Sequence, residues 1–174
     1  LKAVVASSEN IKITSVGIDQ LKINNIEKYQ LVIYHGLPTT SSLRKLKVAL
    51  KKPVSRCFWI TKKTDLRHLK HVASSVKVFE KQDYVRVRPL VKSDVEVFQI
   101  SKELQGLFSD APELEVRYGE YYESNQSKVL LYQKIGNTKT KNVLTAVKIS
   151  DVSEGVIVGE GYWRMRLYWL LADK

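Results

Sequence analysis

Sulfur ligands and disulfide partners are almost absent from this sequence, which has a single cysteine, Cys57, and three histidines. One thiol excludes a disulfide framework within the chain and a zinc site built on several cysteines. No apolar run approaches the roughly 18–20 residues that a helix needs to cross a bilayer. No cofactor motif takes the place of these features, so we expect neither a metal nor a cofactor.

Acidic residues are also in deficit, because 18 Asp and Glu stand against 29 Lys and Arg, a formal net charge of +11. Such an excess is found in proteins that bind nucleic acids or anionic membranes. The lysines, however, are scattered and form no known groove-reading motif. We therefore prefer a lysine-rich solvated surface, and we expect no DNA partner.

Strand and helix patterns alternate in the first half of the chain. Apolar runs at residues 30–36 and 54–60 predict buried strands, and a helical pattern follows each of them. Residues 1–8 are predicted to be helical, and residues 11–16 to form a strand. Alternation of this kind is typical of a parallel sheet with helices on both faces, which predicts a three-layer α/β fold.

The second half has a different pattern. Residues 128–136 and 142–149 flank the polar turn 137–142 and predict an antiparallel hairpin. A last strand, 155–161, leads into a helix. With no internal repeat and no linker, residues 1–174 are predicted to form a single domain.

In an open α/β sheet, ligands bind at the carboxyl ends of strands, which places a candidate crevice at His35, Gly36, Thr61 and Gly161. His35 could transfer protons or fix its turn by bonding the backbone, and the second interpretation is preferred. Cys57 lacks the small neighbours of a nucleophile elbow and is interpreted as a packed thiol. We therefore predict no catalytic residue and no enzyme.

The last strand runs through Gly159-Glu160-Gly161 into a helix, which raises the possibility of a phosphate loop. A third glycine and the Lys-Ser/Thr pair are missing, and Glu160 is negatively charged, so a tight turn is preferred. In the helix, spacings of three and four predict one buried stripe, made of Trp163, Leu167, Leu170 and Leu171. Arg164 and Arg166 flank that stripe and indicate a partner surface.

Three tyrosines surround Gly119, and they include Tyr118 and Tyr121. Clustered tyrosines beside basic residues can stack on bases. They can equally form a protein interface, since the ring is rigid and amphipathic. Without a nucleic-acid motif, the interface interpretation is preferred for Tyr118 and Tyr121.

The stretch "LFSDAPELEVRYGEYYESNQSKVLLYQKIGNTKTKNVL", with "LLYQKIG" inside it, and the later "GEGYWRMRLY" resemble the C-terminal region of von Willebrand factor A-type membrane proteins of Bacteroidetes. The resemblance covers most of the chain and is strongest from residue 98 onward. It implies a flavodoxin-like, class I glutamine amidotransferase-like fold with a mostly parallel sheet and a further strand before Leu1. It also implies a membrane-anchored parent protein that carries this domain in the periplasm. The amidotransferase Cys-His-Glu triad has no match here.

Together these features predict a non-catalytic interaction or scaffold domain of a larger envelope protein, whose partner is another protein or another domain of the parent chain. One alternative is a degenerate or unrecognised hydrolase that uses the crevice at the strand ends. Another alternative is an anion- or nucleic-acid-binding domain that uses the basic surface.

Overall fold

The computed structural model describes residues 10–92 and 101–172, so the helix predicted for residues 1–8 lies outside it. The described part contains seven strands: β1 (Leu31–His35), β2 (Ser55–Ile60), β3 (Val76–Val91), β4 (Leu114–Glu123), β5 (Lys128–Ile135), β6 (Thr138–Lys148) and β7 (Glu154–Val158). They form one sheet in the order β1-β2-β7-β6-β5-β3-β4.

The helices are short: α1 (Leu43–Ala49), α2 (Leu66–Leu69), α3 (Lys102–Asp110) and α4 (Tyr162–Ala172). Two 3₁₀ turns, Ile18–Gln20 and Ile23–Lys28, precede β1. Residues 11–16, predicted as a strand, have no regular structure and no strand pairing. No helix within residues 10–92 and 101–172 combines the length and apolarity needed to span a membrane.

The prediction of a three-layer, flavodoxin-like or amidotransferase-like fold with a mostly parallel sheet is wrong. Among the described strands, β1–β2 and β2–β7 pair in parallel, and the other four pairings are antiparallel. The predicted hairpin is confirmed as β5–β6. Alternation of strand and helix holds for β1 and β2 but ends at α2, because a single long strand follows it.

That long strand, β3, spans 16 residues and replaces two predicted segments, 76–79 and 83–91. It pairs with β4 up to Val87 and with β5 from Arg88 onward. The register shifts between Glu80 and Tyr84, where Asp83 adopts a left-handed φ of 80°. Such irregularities bend a strand and increase its twist. β3 thereby connects the main sheet to a ribbon that it forms with β4.

The ribbon folds back over the middle of the sheet. Glu115 in β4 and Glu160, just after β7, exchange two backbone hydrogen bonds of 3.0 and 2.9 Å. Farther along β4, the Tyr121 N–H donates to the Asn142 side-chain oxygen of β6, 3.1 Å away. The β3–β4 ribbon therefore lies over β6 and β7.

The core lies between the sheet and this ribbon. Alternate residues of the three parallel-paired strands are buried, among them Tyr34, Phe58 and Val156. Val116 and Tyr121 of β4 belong to the same cluster. Burial of each large apolar side chain contributes about 1.5–3 kcal/mol, so this cluster supplies much of the folding free energy.

One charged side chain, Glu154 at the start of β7, lies inside this packing with a side-chain exposure of 1%. Its Oε1 accepts hydrogen bonds from the backbone N–H groups of Ser74 and Ser75, at 2.5 and 2.8 Å. The Arg56 guanidinium Nε donates to its Oε2 at 2.9 Å. Glu154 therefore links β7, β2 and the segment that enters β3.

Candidate functional site

The carboxyl ends of β1 and β2 meet at one edge, as expected for parallel neighbours. The Gly36 N–H donates to the Trp59 carbonyl at 2.9 Å. Gly36 has a φ of 70°, and a Cβ on it would lie 3.1 Å from the Thr61 Oγ1. The structure therefore brings Gly36 and Thr61 into contact, and glycine is required there.

His35 lies at the same edge, in an aromatic row. Its ring meets Trp59 edge-on, with centroids 5.5 Å apart, and Trp59 meets Tyr162 at 5.4 Å. The Trp59 Nε1–H donates to the Gly159 carbonyl at 2.9 Å, and the Tyr162 hydroxyl to the Val158 carbonyl at 2.9 Å. The sequence did not predict this aromatic row, because its members are distant along the chain. The ring contact of His35 is thus with an indole, which cannot relay protons.

Gly161 belongs to the turn after β7. Gly159 and Gly161 have φ values of 100° and 102°, which L side chains rarely adopt. The Glu160 carboxylate accepts the Lys62 N–H at 3.0 Å, and the Lys62 ammonium pairs with Glu115 at 2.5 Å. The hydrogen bond from Lys62 lowers the pKa of Glu115. Because a carboxylate of the chain already occupies the Lys62 amide, this turn joins β2, β4 and β7 rather than holding a phosphate.

The predicted buried stripe of α4 lies instead on the surface. Its four side chains are exposed by 66, 52, 55 and 69%, in the order Trp163, Leu167, Leu170 and Leu171. The opposite side packs inward, where Met165 is 1% exposed and Trp169 meets Phe108 of α3 at 5.6 Å. The prediction was wrong because spacing shows which residues share one face of a helix. It does not show whether that face packs against the rest of the protein.

Arg164 and Arg166, the predicted interaction residues of α4, are both half-buried. The Arg164 guanidinium carbon lies 6.0 Å from the centroid of the Trp163 ring. Its Nε is buried and has no hydrogen-bond partner within the described part of the chain. Both arginines therefore lie beside the exposed stripe, which we call the outer face of α4.

The two tyrosines predicted for the same role separate. Tyr118 is 41% exposed, and the Lys81 ammonium lies 5.6 Å from its ring centroid. Tyr121 is fully buried, and its hydroxyl donates to the Arg117 carbonyl at 2.8 Å. Burial raises the pKa of Tyr121. Tyr121 is therefore a core residue and presents no surface to a partner, because residues three apart in a strand point to opposite faces.

A cavity of about 1030 Å³ lies between the loops that follow β1 and β2 and the β3–β4 ribbon. Thr40, Lys63 and Lys70 line it on the loop side, and Phe79 lines it on the ribbon side. None of the four predicted crevice residues belongs to its lining. The sequence placed a crevice at the strand ends but not beside the ribbon, because the fold-back of β3 was not predicted.

Ion pairs fix the walls of this cavity. Arg117 of β4 donates to the Thr64 carbonyl at 2.9 Å and pairs with Glu80 of β3 at 2.5 Å. Across the cavity, Arg67 binds the Asp65 carboxylate through two donors at 3.2 and 3.0 Å. The hydrogen bond from Arg67 lowers the pKa of Asp65 to about 2. Arg117 therefore holds the loop of residues 61–65 against the ribbon, whereas the Arg67–Asp65 pair lies on the loop side alone.

The thiol of Cys57 was interpreted as a packed residue. Burial, assisted by the charge of Glu154, raises its pKa to about 11. A thiol with such a pKa carries almost no thiolate at neutral pH and is a poor nucleophile. Within residues 10–92 and 101–172, His, Cys, Asp and Glu form no group of three that could hold a metal.

Comparisons with known proteins add little information about the function of the chain. No family model and no curated protein matches the chain. Among solved structures, the GH42 β-galactosidase Gan42B matches with a TM-score of 0.40 and 9% identity over 86% of this chain and 22% of that one. A catalytic mutant of Gan42B from G. stearothermophilus matches with a TM-score of 0.39 and 9% identity over 84% and 22%. The chain thus spans about a fifth of these enzymes, and similarity at this level defines neither a family nor an activity.

Proposed function

We propose that this chain is a non-catalytic interaction module that binds an acidic-rimmed apolar face of a protein partner through the outer face of α4. The observation that carries the proposal is the exposure, by 52–69%, of Trp163, Leu167, Leu170 and Leu171 on one side of one helix.

The composition of α4 supports a second contact for this helix. Of its eleven residues, Arg164 and Arg166 alone are charged. A helix that is apolar on all sides is normally buried on all sides. Here α3 and the sheet cover the side of Met165 and Trp169, and the other side faces outward. Contiguous exposed apolar side chains of this kind mark interaction sites more often than ordinary surface.

The chemistry of the partner follows from the flanks of the helix. Tryptophan and arginine are the residues that most often dominate the binding free energy of protein interfaces. Arg164 and Arg166 are cationic, and α4 carries no acidic residue to neutralise them. A partner with an apolar centre and an acidic rim complements both features. We propose another protein, or another domain of the parent chain, with such a face.

Two observations favour a module without catalysis. His35 meets Trp59 edge-on, with ring centroids 5.5 Å apart, and does not line the cavity beside the ribbon. The raised pKa of Cys57, about 11, disfavours a thiol nucleophile.

We propose further, from the resemblance to envelope proteins, that the parent protein is membrane-anchored and that this domain lies in the periplasm. Protease accessibility in spheroplasts tests that placement, since a domain protected until lysis would be cytoplasmic.

The docking proposal is tested by photo-cross-linking in cells that express the full parent protein. A benzophenone amino acid at position 167 samples the outer face of α4, and one at Val48 of α1, which is 45% exposed, serves as a matched control. We expect a protein adduct from position 167 and none from position 48. The partner, once identified by mass spectrometry and purified, should bind this chain, and Leu167→Asp should weaken that binding at least tenfold.

Three other results would contradict the proposal. An adduct with a second copy of the chain, confirmed by sedimentation, would make the outer face a self-association surface. Flotation of the chain with anionic vesicles, lost in Leu167→Asp, would make it a membrane surface. Equal adducts from both positions, or none, would mean that the outer face has no specific partner.

A further inference from the structure

We propose that the cavity between the loop of residues 61–65 and the β3–β4 ribbon binds a phosphorylated small molecule with a planar apolar part. Its volume of about 1030 Å³ is at the upper end of the range for small-molecule sites, roughly 300–1,000 Å³. It therefore has room for a mononucleotide-sized ligand.

The charge of the lining favours an anion. Five cationic side chains line the cavity: Lys63, Arg67, Lys70, Lys81 and Arg117. They stand against three acidic ones, Asp65, Glu80 and Asp83, and Glu120 also pairs with Lys81, so one positive charge remains in excess. A net positive charge in a cleft raises the local concentration of anions.

The cations differ in their availability to a ligand. Arg117 is engaged by Glu80, Arg67 by Asp65 and Lys81 by Glu120. Lys63 and Lys70 are exposed and have no ion-pair partner among residues 10–92 and 101–172. Lysine binds phosphate as a mobile point charge and needs no bidentate geometry. Lys63 and Lys70 are therefore the groups that meet the phosphate.

The loop side adds neutral donors near these lysines. Thr39 and Thr40 both line the cavity and carry hydroxyl groups. The Thr40 hydroxyl lies 3.4 Å from the Asp65 carboxylate, a long contact that a phosphate oxygen can replace. The loop itself is held by the Thr61 N–H bond to the Thr64 hydroxyl at 3.0 Å and by Arg117. A rigid wall of this kind lowers the entropy cost of binding.

The opposite wall suits a planar group. Phe79 lines the cavity and is 59% exposed, an unusual position for a phenyl ring. It meets Tyr122 edge-on, with ring centroids 6.0 Å apart. Stacking of a base on such an aromatic face is tolerant of base identity. The apolar part of the ligand therefore lies on Phe79 while its phosphate meets the lysines.

The test is a ¹H–¹⁵N NMR titration of this chain with adenosine monophosphate, inorganic pyrophosphate, citrate and adenosine. We expect saturable shifts of the Thr40, Lys63 and Thr64 amides with adenosine monophosphate, and at least tenfold weaker binding of adenosine and citrate. Lys63→Glu combined with Lys70→Glu should weaken the binding of adenosine monophosphate at least tenfold. Phe79→Ala should weaken the binding of adenosine monophosphate but not that of pyrophosphate.

The matched control is Lys139→Glu combined with Lys141→Glu, the same charge change on the distant β5–β6 hairpin. It should change the dissociation constant less than twofold. Equal losses of affinity in the two double variants would show that the ligand is attracted only by the net charge of +11. This result would overturn the site. The site is also overturned if neither phosphate compound gives saturable shifts, if citrate binds as tightly, or if an oligonucleotide alone binds.

Discussion

The carboxylate of Glu154 and the guanidinium of Arg56 meet across β7 and β2 with an Nε–Oε2 distance of 2.9 Å, and their side chains are only 1% and 19% exposed. The buried carboxylate and the partly buried guanidinium are tolerated because they compensate each other and because Ser74 and Ser75 complete the hydrogen bonding of the carboxylate.

Replacement of Glu154 by glutamine should therefore be severe. The amide keeps the shape, but it leaves Arg56 without its counter-charge and turns an NH₂ group toward either the Arg56 Nε–H or the backbone N–H donors. We expect a loss of about 3–5 kcal/mol in the free energy of unfolding, measured by urea denaturation. Glu120→Gln, which removes the exposed pair with Lys81, should change the urea midpoint little. Equal effects of the two changes would mean that the buried pair has no special role.

The lowered pKa of Asp65 predicts that this carboxylate contributes to the acid sensitivity of the fold. The hydrogen bond from Arg67 lowers its pKa from the ordinary 3.8 to about 2. Because the folded pKa is lower than the unfolded one, the carboxylate stabilises the fold above pH 3.8, and this contribution is lost as the pH falls through about 2. Asp65→Asn keeps a helix cap but removes the charge.

The urea midpoint of the parent chain should thus fall more steeply between pH 4 and pH 2 than that of Asp65→Asn. The exposed Asp151→Asn provides the control and should follow the parent chain. Parallel curves for the parent chain and Asp65→Asn would show that the carboxylate has the same pKa in the folded and unfolded chains.

Gly159 in the turn after β7 and Gly106 in α3 should respond in opposite ways to replacement by alanine. A Cβ at Gly159 would lie 2.8 Å from the Val116 Cγ2 at a φ of 100°. We expect Gly159→Ala to cost about 2–4 kcal/mol of unfolding free energy, from backbone strain and the clash together. Gly106 in α3 has open space around it, and Gly106→Ala should add about 0.5–1 kcal/mol. Thermal unfolding of both variants measures this contrast, and a neutral Gly159→Ala would contradict the geometry of the turn.

The two sides of α4 predict a second contrast within one helix. Met165 is 1% exposed, so Met165→Ala should reduce the free energy of unfolding by about 2–5 kcal/mol. Leu167 is 52% exposed, and Leu167→Ala should change it by less than about 0.5 kcal/mol. Urea denaturation of the two variants decides the point. A large loss in Leu167→Ala would indicate that the outer face of α4 is covered within this chain and would remove the basis for docking.

Strands and turns could be predicted where neighbouring residues in the sequence determine them. The continuous apolar runs of β1 and β2 and the polar turn of β5–β6 were sufficient to find these strands. The glycines of the turn after β7 were interpreted correctly as a tight turn, because the missing phosphate-loop residues and Glu160 are visible in the sequence itself.

Relations between distant segments could not be predicted in the same way. Residues 76–79 and 83–91 look like two segments because polar residues separate them, but hydrogen bonds to β4 and β5 make them one strand. Glu154 looks like a surface acid until Arg56 and the two serines are placed around it. The walls of the cavity likewise come from the loops after β1 and β2, from α2 and from the β3–β4 ribbon, and no local pattern in the sequence shows that these segments are close together.

The position of β7 in the middle of the sheet also limits when the fold can form. β2 pairs with β7 through partners such as Arg56 and Glu154, which are 98 residues apart. The entropy cost of closing so long a loop arises before the stabilising contacts form. Non-local pairing of this kind therefore slows folding. On the ribosome, the parallel part of the sheet cannot be completed until Val158 has been synthesised. β1 and β2 must therefore wait, with one side of β2 unpaired, while the residues between Ile60 and Glu154 are synthesised.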